Sequence, residues 1–169
     1  DASKWNVISE YLDSAQSLFG DPTGEGYFFS RLDEVWNAFA QAADDPSSSL
    51  LRSQALTRVN DFLTEADRIN TALQDLTKTV DSRLVAGVDR ANQLIQEIQK
   101  LNVDITKTRM AGGDPSGSEN IQATLVDELA SLMNVRVAKR DMGGVVIRTT
   151  EGLLLAGDHS STLKYESTD

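Results

Sequence analysis

VNDFLTEADRINTALQDLTKTVDSRLVAGVDRANQLIQEIQKLNVDI, residues 59–105, places apolar side chains alternately three and four positions apart. Val59, Phe62, Ala66, Ile69, Leu73, Leu76 and Val80 make the first run. After a one-residue slip Leu84, Val88, Ala91, Ile95 and Ile98 continue it, followed by polar Asn102 and then Ile105. A 3.5-residue repeat of this length keeps one seam on one side of a helix, and other helices must cover that seam. The surrounding stretch from Ser48 to Met110 has no proline, no cysteine and one glycine, Gly87. A helix of that span would reach ~90 Å at 1.5 Å per residue. Such a length suits a building element better than an active-site scaffold.

Leu63, Leu94 and Leu101 widen the stripe, which favours a bundle of three or four helices over a two-stranded coil. Asn102 has two readings. A polar residue at a seam position can fix register at some cost in stability; alternatively, the helix frays there towards Gly112-Gly113.

Upstream, a helix is expected from about 3 to 19, with Trp5, Ile8, Leu12, Ala15 and Phe19 on one stripe and Gly20-Asp21-Pro22 ending it. A flexible link, Thr23-Gly24-Glu25-Gly26, leads to a second helix at about 27–43. Its face comprises Phe28, Leu32, Val35, Trp36, Phe39 and Ala43, and this aromatic-rich stretch should hold the densest core. Asp44-Asp45-Pro46-Ser47-Ser48 turns the chain and offers an N-cap to the long helix, about 48–110.

Downstream, Ala111 to Ser118 is a glycine- and serine-rich break. A shorter helix follows at about 119–133, with Ile121, Leu125, Leu129 and Leu132 on one face. The periodicity then switches to two. Val135 and Val137 alternate with Arg136 and Ala138, Arg140 to Gly144 form a turn, and Val145 to Thr149 are rich in β-branched residues. Glu151-Gly152 turns the chain again before Leu153-Leu154-Leu155, and Thr162 to Tyr165 could form a fourth strand. The expected class is mainly α, an elongated antiparallel helical bundle or coiled coil followed by a small antiparallel β subdomain (α+β overall). Residues 1–134 would form a helical rod domain and residues 135–169 the start of a small β domain. A sheet this small buries little alone, so further strands are expected beyond Asp169.

Composition narrows the function classes. Neither disorder nor a membrane protein is indicated by 25% charged and 40% hydrophobic residues. No apolar run approaches a membrane span and no cleavable signal peptide opens the chain. Starting at Asp1 and stopping at a polar Asp169, it reads as a piece of a longer protein. Absence of cysteine fits the cytosol and equally an exported protein kept unfolded in passage. The net charge of −10 is uneven: residues 1–46 carry 2 basic and 9 acidic side chains, residues 47–110 carry 9 and 8, and residues 111–169 carry 5 and 9. No segment is strongly basic, which argues against nucleic acid and anionic membranes as main partners.

No catalytic, cofactor-binding or metal residues are expected, and no cofactor or small-molecule substrate. His159 is the lone histidine and sits in a polar loop; with no cysteine, the usual zinc ligand sets are out of reach. No Gly-x-Ser-x-Gly elbow supports serine catalysis. The glycine-rich segments 20–26 and 112–117 lack the Gly-Lys-Ser/Thr ending of a phosphate loop. The pairs Asp33-Glu34, Asp44-Asp45 and Asp127-Glu128 are adjacent, and neighbours on a helix diverge by ~100°. An enzyme is not expected.

Several passages resemble one known family. Leu125 to Val137, LVDELASLMNVRV, looks like the "L-DEL-L-V-V" passage of the flagellar hook-associated protein 1 family, the first hook–filament junction proteins. Asp141 to Ile147 resembles that family's Asp-x-Gly-Gly turn, and Gly152 to Gly157 its following strand. Phe39 to Pro46 with Arg52 to Leu56 resembles a passage that also recurs in flagellin-like axial proteins. Leu94-Ile95, Ile98, Leu101-Asn102 and Ile105 match the family's "I-x-x-L-N-x-x-I" helix, giving Asn102 a third reading. The resemblance covers about residues 1–165.

It implies a rod of antiparallel helices topped by a β domain, exported without a cleavable signal peptide to the extracellular flagellum. Its implied role is structural: the junction between hook and filament, built by subunit self-assembly. Implied partners are the protein itself in a ring at full length, the hook protein, the second junction protein and an export chaperone before secretion. The family's terminal helices are absent at both ends. Two other readings stand beside it: an unrelated coiled-coil interaction or stalk module, and a helical sensor domain.

Overall fold

The computed structural model describes residues 2–24 and 26–167, with side chains from residue 6 onward. The side chain of Trp5, assigned above to the first stripe, and the whole of Glu25 in the link lie outside what is described. The elements in order are α1 (Ala2–Ser17), α2 (Phe28–Asp44), α3 (Ser49–Met110), α4 (Ser116–Leu132), β1 (Val135–Lys139), β2 (Val145–Thr149) and β3 (Leu154–Ala156). The class is α+β, with one long helix and a three-stranded antiparallel sheet in the order β1-β2-β3. The chain divides into two compact units, Asp1–Val80 and Asp81–Asp169.

In the first unit, α1 ends where Gly20 adopts φ 82°; a Cβ there would lie 2.7 Å from the Gly26 carbonyl oxygen. Asp21 closes the following turn, its Oδ1 accepting from the Thr23 amide at 2.8 Å and from its hydroxyl at 2.7 Å. The Phe28 amide then donates to the Phe19 carbonyl at 2.8 Å. Around this corner the rings of Phe19, Phe28 and Phe29 meet, and Phe28 stacks on Phe62 of α3 at 5.0 Å. Ser48 caps α3 as expected, its hydroxyl accepting from the Leu51 amide at 3.3 Å.

Helix α2 does not hold the densest core. None of its residues is buried, and Trp36 is 67% exposed. Its aromatic face is broader than two neighbouring helices cover, so ring contacts gather at its start and leave its outer flank bare. Exposed Val7, Ile8 and Leu12 on α1 and Leu50, Leu56 and Leu63 on α3 show the same imbalance.

Most of the fully enclosed apolar side chains belong to the second unit. Ala91, Leu94, Ile95 and Ile98 of α3 pack with Leu129 of α4 and with Ile147, Leu155 and Ala156 of the sheet. The stripe read from the sequence is the covered side of α3 at most positions, but Leu84, just after the slip, is 44% exposed. On α4, Leu129 is buried while Ile121 and Leu132 of the expected face are exposed, and Gln122 faces inward instead. Residues 162–165 join no ladder.

Truncating a fully enclosed side chain costs its transfer energy plus a cavity. Ile98→Ala is therefore expected to lower unfolding free energy by about 2–5 kcal/mol, and Trp36→Ala by less than about 0.5 kcal/mol. Urea unfolding of the two variants checks this ordering, and equal losses would mean the core is elsewhere.

Candidate functional site

A three-stranded sheet of five, five and three residues presents more backbone edge than it can satisfy. The second half of α3 supplies the missing partners with carboxamides. Asn102, 1% exposed, accepts from the Val145 amide at 2.7 Å and donates through Nδ2 to the Val145 carbonyl at 2.8 Å. Its side chain thus meets β2 as a neighbouring strand would. Gln122 of α4, 3% exposed, donates to Asn102 Oδ1 at 3.0 Å and to the Ile98 carbonyl at 3.3 Å. Both polar side chains are buried with their needs met, which is the condition for placing them inside at all.

Asn92 repeats the device ten residues earlier. Its Oδ1 accepts from the Leu163 amide at 2.8 Å and its Nδ2 donates to the Leu163 carbonyl at 3.0 Å. Gln99 accepts from the Gly157 amide at 3.0 Å. Further along, the Tyr165 hydroxyl donates to Asp81 at 2.6 Å and the Ser167 hydroxyl at 3.0 Å. Residues 162–165, expected as a possible strand, are thus held by α3 side chains in place of a ladder.

The turn between β1 and β2 allows this close approach. Gly143 and Gly144 have φ 89° and 79°, and a Cβ on Gly143 would lie 2.7 Å from Ile105 Cγ2. One on Gly144 would collide with Asn102 Oδ1. Neither position tolerates a side chain, on conformational and steric grounds alike. Of the two structural readings of Asn102, fraying is excluded, since α3 continues to Met110. Asn92, Gln99 and Gln122 were not singled out from the sequence, where polar residues beside an apolar face are the rule on an amphipathic helix.

Around this junction the charges are paired at the rim. Arg90 grips Glu128 of α4 through Nε at 2.6 Å and Nη2 at 2.8 Å. That hydrogen bonding holds the Glu128 carboxyl below its ordinary value. Arg109 meets Glu119 at 2.7 Å and Arg140 meets Asp158 at 2.8 Å. A cleft of about 510 Å³ opens between α4 and the β1–β2 hairpin, lined among others by Arg109, Glu119, Val126, Asp127, Val137 and Lys139. Among the described residues no group of three His, Asp or Glu converges as a metal site.

Asn102→Ala strands two buried backbone groups of Val145, and each such group costs about 1–3 kcal/mol. The variant should lose at least about 2 kcal/mol and exchange the Val145 amide proton faster; unaltered exchange would show the clamp to be idle. The Glu128 pair stabilises above that carboxyl's ordinary value of 4.5 and is lost as pH falls through its lowered one. In Glu128→Gln, the fall in melting temperature on acidification below that value should be shallower than in the parent.

The family model described as "Flagellar hook-associated protein FlgK helical domain" matches residues 12–169. "Flagellar hook-associated protein 1" of Bacillus subtilis (strain 168) is 22% identical over 151 residues, 89% of this chain and 30% of that relative. The chain thus spans 30% of the length of the relative it matches. With all but the first eleven residues inside the match, the chain belongs to the family of the flagellar hook-associated protein FlgK helical domain.

Proposed function

We propose that this chain is a structural segment of the bacterial flagellum, part of a protein that joins hook to filament by packing against copies of itself. Family membership supports the flagellar hook-associated structural role. The observation that carries the finer reading is the bare apolar flank of the first unit. Val7, Ile8 and Leu12 of α1 and Phe29, Trp36 and Phe39 of α2 are all exposed. Phe29, Trp36 and Phe39 fall on one face of α2, and a contiguous exposed apolar face marks a surface meant to be covered by protein. The protein acts as a non-enzymatic building block, with residues 1–134 as its helical rod and residues 135–169 opening its β domain.

In this reading the full-length protein forms a ring and meets the hook protein on one side and the second junction protein on the other. A chaperone shields it before export, and it leaves the cell without a cleavable signal peptide. Among the described residues no helix is long and apolar enough to cross a membrane.

Deleting the gene and examining the cells by electron microscopy tests the proposal. Hooks without attached filaments are expected, with motility lost. Normal filaments on normal hooks would refute it.

A further inference from the structure

The β1–β2 hairpin is the one basic island in an acidic chain. Residues 135–149 hold Arg136, Lys139, Arg140 and Arg148 against a single carboxylate, Asp141, a net charge of +3 within a chain of −10. The segment count of 5 basic and 9 acidic over residues 111–169 conceals it.

Register sharpens the point. Arg136 stands directly opposite Arg148 in the antiparallel pair, and Ala138 opposite Val146, so these four share one sheet face. Both arginines are exposed, and among the described residues neither enters an ion pair. Arg148 donates to the Gly152 carbonyl at 3.0 Å. Arg136 acts on Glu151 through space, as the smallest of the influences on that carboxyl, which is governed first by the Thr150 hydroxyl. Like charges directly opposite across strands, with Cβ atoms ~5 Å apart, weaken a sheet. Arg140, by contrast, is paired with Asp158.

An anion spaced to match would relieve this. Carboxylates at i and i+3 on a helix have Cβ atoms ~5–6 Å apart, close to the spacing of the facing arginines. Glu10 and Asp13 of α1 have that relation, are both exposed, and enter no ion pair among the described residues. They lie in a segment of 2 basic and 9 acidic side chains, a net charge of −7.

We infer that the outward face of the β1–β2 hairpin, centred on Arg136 and Arg148, docks onto the acidic α1 helix of a second copy of this chain. The contact is heterologous: sheet face of one copy, helix face of the next, leaving each copy's own complementary face free. It rests on the reading above that the protein packs against itself, and it names the surface used.

Charge reversal with rescue tests it. Sedimentation velocity of the chain should show association at least roughly tenfold tighter in ~10 mM than in ~150 mM salt, as screening shortens from ~30 Å to ~8 Å. Arg136→Glu with Arg148→Glu, and separately Glu10→Lys with Asp13→Lys, should each remain monomeric with unchanged helical circular dichroism. Mixing the two variants should restore association, a result that misfolding of either could not produce. A parent chain monomeric at low salt, or reversed pairs that fail to rescue, would overturn the inference. So would a monomer whose hairpin takes up polyglutamate, which would assign the face to a different acidic partner. Cells with bare hooks after gene deletion, together with a monomeric chain, would remove this contact while sparing the junction role.

Discussion

The two hydrogen bonds between Asn102 and Val145 carry a requirement that the rest of the second unit follows. A small sheet laid on a helix has backbone groups facing a partner whose own backbone bonds are already spent along its axis. Side chains must therefore speak for the helix, and a carboxamide is suited to this because it offers one donor side and one acceptor side, like a peptide group. From that single pairing come the glycines at 143 and 144, which let the turn descend onto the helix. Gln122 follows as well, occupying the remaining acceptor capacity of Asn102 Oδ1 and reaching the Ile98 carbonyl. The apolar core of Ile95, Ile98, Leu129, Ile147 and Leu155 supplies the burial; the amides fix where the sheet sits while doing so.

The first unit is organised by a different balance. Its apolar contacts include a ring cluster at the α1–α2 corner, and its polar ties include Arg68 donating to the Leu18 carbonyl at 3.1 Å and Arg58 meeting Glu34 at 3.1 Å. Exposed ion pairs of this kind contribute little. Large apolar side chains remain on the outside of every helix in the unit.

Much of this was legible in the chain itself. The alternating three–four spacing from Val59 to Ile105 located α3 to within a residue at each end, because nothing between Ser49 and Met110 opposes a helix. The switch to period two after Asn134 located three strands. What escaped was set by partners distant in sequence. Gln122 displaced Ile121 from the buried face of α4 because a polar group waited on α3, which one-dimensional periodicity does not encode. Residues 162–165 have strand-forming composition, yet Asn92 took the backbone groups of Leu163 at their centre. The aromatic content of α2 suggested depth, but depth needs something on the far side. The junction itself was glimpsed at one residue, Asn102, whose polarity broke an apolar seam.

The tail that runs beside α3 carries an entropic signature of its own. Asn92 and Leu163 are 71 positions apart and Asp81 and Tyr165 are 84 apart. Yet the tail is tied close to β3, the Ser161 amide donating to the Leu155 carbonyl at 2.9 Å, and Leu163 packs against the core as well as on Asn92. Exposed or half-buried and outside any ladder, residues 162–167 should open more readily than the enclosed core. Their detachment would uncover Val88 and Asn92 and withdraw Leu163 from the flank of the core cluster.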